Sequence, residues 1–117
     1  MVKNKWSKRP WGRFKVIEQD KNYKVKIIEI NPKSRTSLQF HKFRSEFWYL
    51  LKGKVTFVID NQEVDIRDIF GYWDMIKKKE VHRLQNNGKD VARILEVQEG
   101  RCKEDDIIRL EDDHGRI

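Results

Sequence analysis

What most limits the fold of this chain is a two-residue alternation that recurs in short runs. From Tyr23 to Ile30, Tyr23, Val25 and Ile27 fall on one face of an extended chain, with Lys24 and Lys26 on the other. Ile28 and Ile30 then turn that second face apolar, as in a strand that passes from a rim into a covered interior. Asn31-Pro32 ends the run. Val55, Phe57 and Ile59 repeat the pattern as far as Asn61-Gln62, the expected hairpin tip, and Val64 and Ile66 carry the return. Residues 14–17, 37–41, 46–51, 72–76, 82–86 and 91–97 read as further strands, with a break at 42–45 and turns at 52–53, 68–71 and 87–88. No helix-period segment precedes Ile107, and the stretch after it reads as a strand followed by a tail or one helical turn. Short strands separated by turn residues predict an all-β sandwich or barrel.

A length of 117 residues predicts a single domain spanning 1–117, with a basic N-terminal arm over about 1–15 and a polar C-terminal segment over about 104–117. The net charge of +7 arises mostly in that arm, where Lys3, Lys5, Lys8, Arg9, Arg13 and Lys15 meet no acid. Beyond residue 98 four basic residues face seven acids. No nucleic-acid motif accompanies the charge, so a phosphorylated small molecule is the expected anionic partner and nucleic acid is not. No apolar run approaches the ~18 residues of a membrane span, and the first ten residues lack the apolar centre of a signal peptide, so a cytoplasmic protein is expected. Cys102 is the single cysteine and is read as a packing or surface residue.

The chemistry-bearing stretch runs from residue 37 to 53. On an extended strand Gln39 and His41 look the same way, while Leu38 and Phe40 look the other. Glu46 follows at the head of an apolar run. An imidazole, a carboxylate and an amide oxygen form a plausible set around a divalent metal that lacks a fourth ligand, and His82 is the better placed of the remaining histidines.

This spacing resembles the cupin superfamily, whose first motif runs Gly, five residues, His-x-His, three or four residues, Glu, six residues, Gly. Here Gln39-Phe40-His41, four residues, Glu46, six residues and Gly53 fit it, with Gln39 in the first His place and Lys33 in the first Gly place. In the second motif Gly71, His82 and Asn86 fall in register, while Lys77 and Lys79 stand where Pro and Gly are usual. Within the superfamily the chain resembles type II mannose-6-phosphate isomerases, often the C-terminal domain of enzymes that also carry a sugar-phosphate nucleotidylyltransferase. The shared stretches are RPWG at 9–12, YKVK at 23–26, SLQ-x-H at 37–41, RSE-x-W at 44–48, HRL at 82–84 and EDDI-x-R-x-ED at 104–112. Family members commonly read HHHR-x-EH across the first motif, whereas this chain has Lys42, Phe43 and Phe47 at three of the histidine places.

The resemblance implies a cupin-type β-barrel, a double-stranded β-helix of jelly-roll kind, with a metal on Gln39, His41, Glu46 and His82. It implies interconversion of mannose 6-phosphate and fructose 6-phosphate. The alternatives are a non-catalytic cupin that binds a sugar or nucleotide-sugar, and a cupin dioxygenase. Nitrogen and oxygen ligands suit Zn, Fe, Mn, Co or Ni. Phosphate calls for forked or flexible cations, here Arg35, Arg44, Arg109 and Arg116, with Lys24 and Lys26 behind them. Asp112 and His114 are the weaker candidates for proton transfer, beside Asp113. Trp11, Trp48 and Trp73 are expected in the core or the cavity wall. A homodimer pairing through an open strand edge is the expected assembly.

Overall fold

The computed structural model describes residues 5–67 and 69–116, apart from the side chain of Glu104, so residues 1–4 of the basic arm, Lys3 among them, and Asp68 of the expected 68–71 break lie outside the described residues. Among those described, twelve strands run in order: β1 Trp6–Arg9, β2 Gly12–Asp20, β3 Tyr23–Ile30, β4 Ser34–Arg35, β5 Leu38–Phe40, β6 Arg44–Lys52, β7 Lys54–Ile59, β8 Gln62–Arg67, β9 Trp73–Ile76, β10 His82–Asn86, β11 Ala92–Gly100 and β12 Ile108–Glu111. A 3-10 turn at Glu104–Asp106 is the single helical element among them, and no helix is long and apolar enough to cross a membrane.

Two sheets result, in the orders β1-β2-β3-β11-β6-β9 and β12-β5-β10-β7-β8, with β4 on the flank of β10. Their inner faces supply the core. Ile28, Ile30, Trp48, Leu50 and Ile94 come from the first sheet, and Val55, Phe57, Ile66 and Leu84 from the second. The Trp48 and Phe57 rings meet edge to face across the gap with centroids 5.1 Å apart. The all-β expectation holds, and so does the turn of the β3 inner face from basic to apolar: Lys26, Ile28 and Ile30 are all buried.

Several boundaries differ from the sequence reading. β6 begins at Arg44 rather than Glu46, because the Asp106 carboxylate accepts the backbone N–H groups of Lys42 (3.0 Å) and Phe43 (2.9 Å) and closes the break before Arg44. Arg44 therefore pairs with Gly100 and points inward with Glu46 and Trp48. Gly100 is required there, since its φ is +112° and a side-chain carbon would meet the Phe43 carbonyl oxygen at 2.5 Å. The β7–β8 turn is Asp60-Asn61, one residue early, with Asp60 in the left-handed region (φ 52°) that Asp tolerates. Asp60 is also tied to Val81 through both its N–H and its carboxylate. Trp73 is no core residue: it is 57 % exposed on edge strand β9, where a short strand left half of its side chains on the outer face beside Phe47.

Candidate functional site

The barrel cavity, about 220 Å³, opens between the inner faces of the two sheets. Cross-strand register decides which side chains share it. On the second sheet Arg109 pairs with Gln39 and Gln39 with His82, so one inward row carries all three. On the first sheet Gln98 pairs with Glu46, and in the next inward row Glu96 lies between Lys26 and Trp48. His41 enters from the end of β5. Its backbone carbonyl accepts the Lys79 N–H (2.7 Å), which ties the two motif loops together.

His41, Glu46 and His82 are all buried, and their ligand atoms lie within 4.8 Å of one another. The His41 Nε2 is 3.1 Å from Glu46 Oε2, and the His82 Nε2 is 3.4 Å from Glu46 Oε1. Each ring is anchored behind by a 2.8 Å bond from Nδ1 to a backbone carbonyl, of Asp106 for His41 and of Glu80 for His82. A carbonyl can only accept, so each Nδ1 carries a proton, and Nε2, the atom that faces Glu46, is the one a metal would take in place of that contact. Two atoms bound to one ion at about 2.1 Å lie no more than about 4.2 Å apart. The Glu46 contacts at 3.1 and 3.4 Å already match neighbouring positions on one ion, and the widest pair of the set, at up to 4.8 Å, would have to close by more than about half an ångström, so the set fits a divalent ion once the side chains draw in. Gln39 lines the same cavity beside His82.

The charges are arranged accordingly. Burial alone would raise the Glu46 pKa, yet hydrogen bonds from His41 and His82 hold it well below the usual carboxylate range. Burial works against the charge of His82, but Glu46 overcomes it and raises the imidazole pKa. Glu96 goes the other way: burial, and then the neighbouring Glu46, push its pKa up to about 8, so it keeps a proton at neutral pH. Its oxygens accept from Trp48 Nε1 (3.3 Å) and Gln98 Nε2 (3.1 Å). Arg44 donates through Nε to Glu46 Oε2 and through Nη2 to His41 Nε2, each at 3.2 Å.

Of the six cations named from the sequence, Lys26, Arg44, Arg109 and Arg116 line the cavity. Lys26 lies 4.2 Å from the centre of the Phe14 ring, and Arg116 is bound to Asp112. Arg109 has no protein partner for its buried Nε. Arg35 lies elsewhere, on the outer side of the second sheet, where Asp113 (2.6 and 2.8 Å) and Glu111 neutralise it. Lys24 shares the inward parity of Lys26 but is not in the cavity wall. Asp112 and His114 are not in the wall either. Asp112 accepts from Arg116 and from the backbone of His114 and Arg116, which lowers its pKa to about 2, and His114 is exposed. Cys102 donates to the Gly100 carbonyl, and burial pushes its thiol pKa up, in keeping with a packing role.

The sequence reading missed Arg9, Glu96 and Gln98, all in the wall. The signal lay in β11, where Glu96 and Gln98 continue the inward parity of Ala92 and Ile94. Polar residues on a buried parity mark a lined cavity rather than a packed core.

Comparison with known proteins bears on the family and the fold. Relatives include the alginate biosynthesis protein AlgA of Pseudomonas aeruginosa, 38% identical over 109 residues, and the mannose-1-phosphate guanylyltransferase RfbM of Salmonella typhimurium, 34% identical over 115. Each match covers 92% of this chain and 22% of the relative, so the chain spans about a fifth of the length of these curated proteins. Among solved structures, the cupin domain of Schizosaccharomyces pombe Cnp3 superposes with a TM-score of 0.74 at 10% identity, covering 82% of this chain and 68% of that one. KdgF from Halomonas sp. gives 0.75 at 10% identity over 86% and 91%. The fold is thus the cupin double-stranded β-helix. The family model described as mannose-6-phosphate isomerase C-terminal matches residues 2–112, and the chain belongs to that family.

Proposed function

We propose that this domain holds a divalent metal on His41, Glu46 and His82, with Gln39 beside them, and interconverts mannose 6-phosphate and fructose 6-phosphate in the cavity above it. The observation that carries this reading is the inward convergence of two imidazole Nε2 atoms and the Glu46 carboxylate, each imidazole braced from behind by a backbone carbonyl. Bound there, a metal would act as a Lewis acid on the sugar oxygens. In the forward direction C2 gives up its proton, C1 gains one, and the proton on O2 passes to O1, so the change is an internal redox that needs no outside oxidant. The chain binds and orients. Arg109 faces the cavity as the cation for the phosphate, with Arg9 and Arg116 also in the wall, and Trp11, Trp48 and Phe14 exclude water.

Lys42, Phe43 and Phe47, which replace family histidines, would favour the non-catalytic reading if they belonged to the cavity. None of the three lines the cavity. Lys42 and Phe43 are exposed, and Phe47 faces outward against Trp73. Their replacement removes no group from the cavity wall, which favours the isomerase.

The test pairs metal analysis of the purified protein and its His82→Ala variant with a mannose 6-phosphate to fructose 6-phosphate assay under added Zn, Fe, Mn, Co or Ni. The reading expects near-stoichiometric metal and metal-dependent turnover, both lost in the variant. Metal without turnover on any hexose phosphate would leave the binding module as the answer.

For the homodimer, the outer face of the first sheet suits a second copy better than a strand edge does. Register places Ile27, Leu95, Tyr49 and Trp73 in one outward row and Val25, Val97, Phe47 and Met75 in the next. Lys15 lies toward one end of this apolar band, with Arg13 and Arg93 that share Glu29 between them, and Glu18, Asp20 and Glu99 lie toward the other. A two-fold rotation lays the basic end of one copy over the acidic end of its partner. Val97→Glu, in the middle of the band, is expected to give a monomer by sedimentation equilibrium; a wild-type protein that is monomeric at tens of micromolar would contradict the assignment.

A further inference from the structure

The cavity holds a buried group that the metal reading does not use. Gln98 is 1 % exposed, on β11, directly across from Glu46. Its Nε2 donates to Glu96 Oε2 at 3.1 Å, and Glu96 is itself fixed by the Trp48 indole N–H. With the amide nitrogen committed, Oε1 is the free end, and this buried oxygen has no protein partner. A buried acceptor is stable only when something donates to it. The second orphan of the cavity wall sits on the opposing sheet: Arg109 Nε, an unpaired buried donor on a cation.

We propose that Gln98 is the specificity-determining residue of this site, its Oε1 accepting a hydroxyl of a ligand whose anionic group lies on Arg109. The proposal rests on the sugar-phosphate reading above and narrows it. A neutral amide oxygen takes an O–H donor and offers nothing to a second carboxylate. The site is therefore matched to a polyhydroxylated monophosphate and set against a dicarboxylate of similar size. Because the Trp48–Glu96–Gln98 chain fixes the amide plane, the acceptor is positioned before the ligand arrives and little ordering is left to binding.

The test measures binding of mannose 6-phosphate and of inorganic phosphate to the metal-loaded protein by calorimetry, for wild type and Gln98→Met, a replacement of similar volume with no strong acceptor. The expected result is a loss of about ten- to a hundredfold in affinity for the sugar phosphate, with inorganic phosphate affinity and metal content unchanged. Singly deoxygenated hexose 6-phosphates on the wild-type protein supply an arm that needs no variant to fold: removal of one particular hydroxyl should cost a similar factor, and in Gln98→Met the same removal should cost nothing. Equal binding of mannose 6-phosphate by wild type and variant overturns the assignment while leaving the sugar-phosphate reading in place. Loss of metal from Gln98→Met also overturns it, by making Gln98 a metal ligand. Failure of the wild type to bind any hexose phosphate overturns both.

Discussion

Arg109 offers the cleanest separation of substrate binding from metal binding at the scale of single residues. It faces the cavity, is two strands from His82, and ligates nothing in the proposed centre. A hydrogen bond to a charged group contributes about 1.5–3 kcal/mol. Arg109→Gln is therefore expected to raise KM for the sugar phosphate about ten- to a hundredfold while kcat and metal content stay near wild type, which steady-state kinetics and metal analysis check together. At this scale the sequence was informative where parity and motif agreed. Gln39 on β5 and His41 just past its end both line the cavity, and Glu46 and His82 follow at cupin spacing. Arg35 and Arg109 could not be told apart in the same way, because each is an arginine near a strand end. Only the pairing partners, Asp113 for one and Gln39 for the other, set them on opposite faces of one sheet.

Two short elements hold the proposed ligands at the scale of strands and loops. The 3-10 turn at Glu104–Asp106 serves His41 twice over: the Asp106 carbonyl fixes the imidazole, and its carboxylate takes two backbone N–H groups of the loop that follows. Asp106→Ala would leave those donors without their acceptor. A cost of about 1–3 kcal/mol in urea unfolding is expected, along with weaker metal retention against a chelator. The other element is the turn before β10, where Lys79 has φ 70° at a place where cupins carry Gly. A left-handed residue with a side chain costs roughly 1–2 kcal/mol, partly offset by the entropy that Gly loses on folding. Lys79→Gly should thus stabilise by about 0.5–1 kcal/mol, visible as a higher Tm. Strands were legible from alternation where both faces were long enough to show it, as in β3. The four-residue β9 was too short to declare its buried side, which is why Trp73 was assigned to the wrong face.

For the whole molecule, the C-terminal segment is tied by charge, Asp112 to Arg116 and Asp113 to Arg35. Asp112, its pKa lowered to about 2 chiefly by Arg116, favours the folded state wherever it is ionised. Because its folded pKa lies below the ordinary value of 3.8, that contribution is complete above about pH 4 and is lost as the pH falls toward 2. Urea midpoints measured between pH 5 and pH 2 should fall over this window, and Asp112→Asn should flatten the fall by a share on the order of 1–2 kcal/mol. The long-range organisation was readable from the sequence only as a class. That β11, near the end of the chain, sits between β3 and β6 in the ladder follows from no local pattern, and with it came the two polar residues, Glu96 and Gln98, that complete the cavity. The central claim is that one ion in this cavity makes the domain an isomerase. It is met most directly by stripping the protein with a chelator, returning divalent metal in sub-stoichiometric steps, and following mannose 6-phosphate turnover at each step. A linear rise that ends at one equivalent per chain is the predicted result; metal uptake to one equivalent with no fructose 6-phosphate formed would contradict it.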